Sequence, residues 1–328
     1  MLVLIIIFAV CFAIINGFND AANAIATVIG SRVLSPVKAI IMATVMNFLG
    51  TTTAFLLGLA VAKTIGEGIV APDYLGYSVI LSALAAVIIW GAVATYLGLP
   101  VSMTHSFVAG LVGAGISAAG SVAIVWGGFL KVLSSVAIAP ALGFTGGLLV
   151  MVAIMWIFRR VAPLRVEGMF GRLQIVSSAF MAYAHGKNDG QMPVGMIAMA
   201  LLIYNPGTEF VVPLWAVFLT AVSMSTGMAV GGWRVIRTVG MNITALRPAQ
   251  GFAAIGAAAA VVETASALGI PVSTTHCVTS AVMGVGSTRR LSAVRWGVAR
   301  RIVLAWVLTF PICCGIGWVL EKAIGLAV

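Results

Sequence analysis

Apolar residues run along the chain in blocks of about 20, the length needed to cross about 30 Å of hydrocarbon, and short polar segments separate them. Neither the period-2 alternation of a half-buried strand nor the single apolar stripe of a soluble helix is visible, so the blocks predict membrane-spanning helices. The first runs from residue 2 to about 29, with an interruption expected at Asn16-Gly17. Further blocks cover 39–62, 76–97, 100–118 and 121–158, the last as a short segment and a helix broken near Pro140. After a basic segment the pattern resumes at 174–203, 211–231, 250–269, 271–287 and 302–326. Residues 2–15 have the apolar content of a signal-peptide core, but a polar GFND follows where a small-residue cleavage pattern would stand.

The polar residues inside these blocks occur in duplicate. GFNDAANAIAT at 17–27 and GKNDGQMPVG at 186–195 each carry an Asn-Asp pair, 169 residues apart. LGLPVSMTH at 97–105 and LGIPVSTTH at 268–276 repeat at an offset of 171. A near-constant offset over half the chain marks an internal duplication. With five crossings per half, the second copy enters the membrane from the opposite side. The expected fold is therefore an all-α polytopic membrane protein of about 10–12 membrane segments, built from two inverted-topology repeats with interrupted helices. Residues 1–158 form the first repeat, 159–173 a basic linker and 174–328 the second. The PVSxTH segments are short enough to dip in as re-entrant hairpins or to span.

Composition agrees: 62% of the 328 residues are hydrophobic, 8% are charged, and mean hydropathy is +1.16. The net charge of +10 does not mark a nucleic-acid binder. Its arginines cluster between apolar blocks (Arg159 to Arg172, Arg234 to Arg247, Arg289 to Arg301), as cytoplasmic loops do under the positive-inside rule. That places the protein in the cell membrane, multi-pass, with both termini outside, and puts Lys63, Glu67 and Asp73 in one outer loop and Pro206 and Glu209 in another. Cys11, Cys277, Cys313 and Cys314 lie in apolar sequence without metal-ligand spacing and read as packing residues.

An aspartate at membrane depth costs at least a few kcal/mol, about 3 on insertion scales, so it is commonly paired and functional. Asp20, Asn23 and Thr27 share a helical face and offer oxygens to a hard cation; Na⁺ is a candidate at Asp20, Asn23 and Asp189. The second copy has Met192 where Asn23 would fall and Gln191 one residue earlier, which predicts two chemically unequal half-sites. Capping by Asn-Asp is the structural alternative. Pro100 and Pro271 break the preceding helices, and Ser102, Thr104, Ser273, Thr274 and Thr275 suit N-caps. A helix starting inside the membrane presents N–H groups and a positive dipole end to an oxyanion. His105 and His276 follow directly in both copies, and Asn19 and Asn188 flank the acids; all are candidate substrate contacts. Glu263 is a further candidate for a cation or proton, and Lys187 for neutralising Asp189 or reaching the interface. An anion beside Asp20 and Asp189 requires intervening cations or protonated acids, so anion and cation bind together, which is symport. No G-x-x-x-x-G-K-[ST] loop is present to couple ATP.

Together GFNDAANAIAT, AHGKNDGQ and the twin LGxPVSxTH elements resemble the inorganic phosphate transporter (PiT) family over essentially the whole chain. The resemblance implies a carrier that imports phosphate with Na⁺ or H⁺ by alternating access at a midplane site between the repeats. Asp20, Asn23, Asp189 and Asn188 would hold cations and orient phosphate, and the hairpin Ser and Thr hydroxyls would donate to it. The GQ variant of the second motif is similar to the compact bacterial low-affinity branch, which implies proton coupling and phosphate carried as a divalent-metal complex, with no resident cofactor. Sulfate permeases are the nearest rival, followed by a passive anion channel. An intramembrane hydrolase fits two equivalent copies poorly, so no enzyme activity is expected. Phosphate or sulfate, the bilayer and a second copy in a homodimer are the expected partners, and nucleic acid is not.

Overall fold

The computed structural model describes residues 1–58, 60–205 and 209–325. Pro206, the side chain of Glu67 and residue 326, each part of a predicted loop or span, lie outside the described residues. Thirteen α-helices are described: α1 Leu2–Gly30, α2 Pro36–Leu57, α3 Ala60–Glu67, α4 Tyr77–Leu97, α5 Met103–Ala119, α6 Trp126–Ile157, α7 Pro163–Asp189, α8 Gln191–Tyr204, α9 Leu214–Val230, α10 Trp233–Arg237, α11 Pro248–Ala267, α12 Thr274–Ser287 and α13 Trp296–Gly325. No strand occurs among the described residues. Six helices (α1, α2, α4, α5, α6 and α13) are long and apolar enough to cross a membrane. A seventh span results if α9 and the bent segment Trp233–Asn242, at 61° to it, count as one. Leu149, Trp156, Val307, Leu308 and Trp318 are exposed on the longest of them, which suits contact with lipid and not water.

Most predicted blocks hold, but α7 begins at Pro163, inside the stretch read as a basic linker, and helices break differently in four places. α1 is unbroken through Asn16-Gly17. Gly17 is there for proximity: a Cβ on it would lie 2.0 Å from the Met224 carbonyl of α9, and one on Gly227 would lie 2.0 Å from the Ile14 carbonyl of α1. The same contact recurs where α2 crosses α7, with Gly50 against Tyr183 and Gly186 against Asn47. Small residues let helix backbones touch where lipid gives no hydrophobic drive for association. α6 also continues through Pro140. The interruption falls instead at Gly190, between α7 and α8, where Pro193 offers no N–H to the Asp189 carbonyl one turn back. Finally, the block at 39–62 divides at Gly58, whose φ of 104° suits only glycine.

α4 and α5 form one helical hairpin and α11 and α12 another, each turning at its PVSxTH element. Their supports cross between the halves of the chain. The first hairpin packs on α13 and the second on α6, while α2 packs on α7 and α9 on α1. At 14 residues, α12 rises about 21 Å, short of a bilayer core. The two large apolar clusters are built on α1, one on Ile5, Ala9 and Phe12 and the other on Ile25, Val28 and Ile29. Between them α1 carries Asn19, Asp20 and Asn23, all buried. The polar centre is thus walled off on both sides.

Because the Gly17 contact is backbone to backbone, Gly17→Val should lower stability by about 1–3 kcal/mol, the usual cost of overpacking. Gly127→Ala, where an added Cβ meets nothing within 4 Å, should leave it unchanged. Thermal unfolding of the two variants in detergent measures the difference.

Candidate functional site

Asp20 on α1 and Asp189 at the end of α7 face one imidazole. His185 Nε2 stands 3.4 Å from Asp20 Oδ2 and 3.6 Å from Asp189 Oδ2, and all three groups are buried. His185 precedes Asp189 by four residues, so one turn of α7 aligns them. The ring's far nitrogen, Nδ1, meets the Asn47 amide of α2 at 2.7 Å. Each carboxylate is steadied through its other oxygen. Thr275 Oγ1 donates to Asp20 Oδ1 at 2.9 Å, and Asn188 Nδ2 donates to Asp189 Oδ1 at 2.7 Å. The three ligand-type atoms lie within 4.8 Å of one another.

The second hairpin closes on this centre. Asn23 Nδ2 donates to Thr274 Oγ1 at 3.1 Å and to Thr275 Oγ1 at 2.9 Å, and Thr274 Oγ1 reaches Asp20 Oδ2 at 3.5 Å. Asn188 Nδ2 also donates to the Val272 carbonyl at 3.2 Å. Ser273 caps α12 by accepting from the His276 N–H, just as Ser102 caps α5 by accepting from that of His105. The N-terminal, electropositive end of α12 therefore abuts the two acids.

The first hairpin is held differently. Asn19 Nδ2 donates to Thr95 Oγ1 at 2.7 Å, near the end of α4, while the hydroxyls of Thr104 and Thr27 are buried without a partner among the described residues. Met103, where the second copy has Thr274, is buried with its side chain against Gly91. The half-sites are unequal, as the sequence suggests. His105 and His276 meet each other and not the acids: their ring centroids are 4.8 Å apart, His276 stacks on Trp306 at 4.0 Å, and His105 Nε2 contacts Ser135 Oγ at 3.1 Å.

Two candidates stand elsewhere. Gln191 turns its amide oxygen to the Val61 and Ala62 N–H groups, at 3.0 and 3.1 Å, and so caps the start of α3. Glu263 is ion-paired with Lys187, a pair between α11 and α7 that leaves Asp189 to His185. His185, though inside AHGKNDGQ, and Asn47 are not among the site residues expected from the sequence. For His185 the signal was its spacing of four from Asp189; for Asn47 it was a lone amide in an otherwise apolar block.

Each hairpin tip is also tied to a half-helix from the other part of the chain. Thr64 of α3 donates to the Gly269 carbonyl at 3.0 Å. Thr238, next to α10, donates to the Gly98 carbonyl at 2.8 Å, and Arg234 adds a bond to the Tyr96 carbonyl.

A helical membrane protein with paired acids and a capped hairpin end at its centre belongs to the transporters by architecture. Comparison with known proteins makes that specific: the phosphate transporter family (PHO4) matches residues 16–317, and the chain belongs to it. It is 44% identical to a probable low-affinity inorganic phosphate transporter of Rhizobium meliloti, over 95% of this chain and 92% of that one. A protein of the same description from Bacillus subtilis is 40% identical, over 96% and 94% respectively. A solved structure described as the sodium-dependent phosphate transporter superposes with a TM-score of 0.87 at 29% identity, covering 100% of this chain and 99% of that chain. The family is one of transporters, and the substrate it names is phosphate.

The Lys187–Glu263 pair yields a test. Its side chains are 12% and 31% exposed, so Lys187→Met should cost about 1–3 kcal/mol by leaving a half-buried carboxylate unpaired. Adding Glu263→Leu should restore most of it. Unfolding midpoints of the single and double variants give the coupling.

Proposed function

We propose that the protein imports inorganic phosphate across the cell membrane by symport with H⁺ or Na⁺, carrying it as the free anion or as a divalent-metal complex. The site alternates in access between two inverted repeats. The observation that carries this reading is the meeting of Asp20 and Asp189 beside the capped start of α12. Two buried carboxylates repel a phosphate dianion unless positive charge arrives with it. Hydroxyl and N–H donors at a helix N-terminus are the groups that bind its oxygens. Thr274, Thr275 and Asn188 are the phosphate contacts in this reading, with Asp20, Asp189 and Asn23 on the cation side. Ser102, Ser273 and Asn19 set the hairpins, and His105 and His276 couple them.

The Thr64–Gly269 and Thr238–Gly98 bonds support alternating access, since each ties a different hairpin by its tip and each must break for that hairpin to move. In this reading the basic loops are cytoplasmic, following the positive-inside rule, and both termini lie outside. A homodimer fits the family resemblance.

Reconstituted in liposomes, the protein should accumulate labelled phosphate under an inward proton or sodium gradient. Asp20→Asn should abolish gradient-driven uptake, a loss of at least about 100-fold for an interaction of roughly 3 kcal/mol or more. Uptake indifferent to both gradients would make the protein a passive channel, and sulfate outcompeting phosphate would reassign the substrate. Thr64→Val should raise the reactivity of a cysteine placed at Asn188 toward an impermeant thiol reagent added outside.

A further inference from the structure

We infer that the cavity at the basic end of α6 binds one anionic phospholipid with two phosphate groups, of the cardiolipin type, held by Arg159, Arg247 and Arg289.

The cavity measures about 300 Å³ and lies where the end of α6 and the start of α7 meet the start of α11. Three guanidiniums from separate parts of the chain converge on it. Arg159 follows α6, Arg247 caps the start of α11, and Arg289 stands just past the end of α12. One carboxylate, Glu167, shares the lining and stands 3.6 Å from Arg247. Neither Arg159 nor Arg289 has a carboxylate partner among the described residues. The amide of Gln250, also in the lining, is already spent on the Arg247 N–H and the Val285 carbonyl. Three guanidiniums less one carboxylate leave the hollow with a charge of +2. Like charges drawn together repel, and a doubly charged anion relieves that repulsion.

The rest of the lining says what kind of anion fits. Met151, Ile154, Met155 and Phe158 continue the cavity along α6, away from the arginines and into the apolar span. Trp156, on the same stretch, is exposed, and the Arg159 guanidinium lies over its ring at 5.2 Å from the centroid. An exposed tryptophan beside an arginine at the end of a spanning helix marks the level of the lipid headgroups. A guanidinium stacked in this way keeps its N–H edge free for phosphate oxygens.

A hollow that is basic at headgroup level and apolar toward the bilayer core suits an amphiphile. Basic pockets between membrane helices bind the headgroups of such lipids. The phosphates would take the arginines and the acyl chains would lie along α6. A soluble anion would use only the basic half and leave the apolar wall unfilled. The charge of the lining then selects among lipids, since two phosphates balance it, one leaves it positive and a zwitterion brings no net charge at all.

The test uses the full-length protein in detergent, titrated with cardiolipin and followed by native mass spectrometry. One cardiolipin should bind. Phosphatidylglycerol, with one phosphate fewer for the arginines, should bind at least about 5-fold more weakly. Arg159→Gln and Arg289→Gln, at exposed positions, should each weaken cardiolipin binding about 5-fold, and the triple variant with Arg247→Gln about 100-fold. A charge-matched triple variant, Arg160→Gln with Arg290→Gln and Arg300→Gln, removes arginines that do not line the cavity and should bind as the wild type does. Cardiolipin should raise the unfolding midpoint of the wild type and of the charge-matched variant, but not that of the cavity variant. Equal loss of binding in the two triple variants, or no loss in either, would overturn the inference. Phosphatidylglycerol binding as tightly as cardiolipin would overturn it too. So would displacement of cardiolipin by an equal concentration of inorganic pyrophosphate, which would make the cavity a site for a soluble anion.

Discussion

Two buried carboxylates held within 4.8 Å of each other are the constraint on which the structure turns. At an effective dielectric of about 20, two unit charges at that distance repel by about 3–4 kcal/mol before the cost of burying each is counted. The chain keeps them together by giving every other oxygen a donor and by setting one imidazole between the remaining two. In the proposed symport, a cation arriving with the phosphate offsets that repulsion.

The rest of the fold serves to bring these groups to one point. Asp20 and Asp189 come from helices that start 161 residues apart and that meet at the centre. α9 grips α1 and α2 grips α7 through glycine contacts so close that backbone meets backbone. That grip carries Asn47 to His185. The second hairpin, resting on α6 from the other half of the chain, brings Thr274 and Thr275 to Asp20. Each half is thus completed by helices from the other, and the polar centre exists only when both are in place.

Much of this was legible in the chain. The twin Asn-Asp and PVSxTH elements announce both the duplication and the polar centre, because a carboxylate or a helix start inside an apolar block is costly and persists only where a partner or a ligand holds it. The serine caps follow from local chemistry and appear at Ser102 and Ser273 as expected. What stayed hidden depends on which helices touch. Asn47 is one amide in an apolar block, and only the α2–α7 crossing gives it a partner. Lys187 adjoins Asp189 in sequence, yet the helix turn carries it outward to Glu263, since neighbours one or two apart point away from each other. Gly17 reads as a helix breaker by propensity, and packing overrides propensity when a neighbouring helix must come close.

The departures from symmetry are as instructive as the repeats. Thr64 ties the tip of the second hairpin and Thr238 the tip of the first, so the two ends of the site are closed by equivalent bonds. The contacts at the centre are not equivalent. Thr275 reaches Asp20, while Thr104, in the matching place, finds no partner among the described residues and Met103 turns into apolar packing. An anion at the midplane would then take most of its hydroxyl donors from the second hairpin. In the proposed cycle that hairpin must release Asp20, Asn23 and Asn188 together to open, whereas the first need only part from Asn19 and its latch. In that cycle the unequal holds, with Met103 and the unpartnered Thr104 on one side and Thr274 and Thr275 on the other, favour one order of opening.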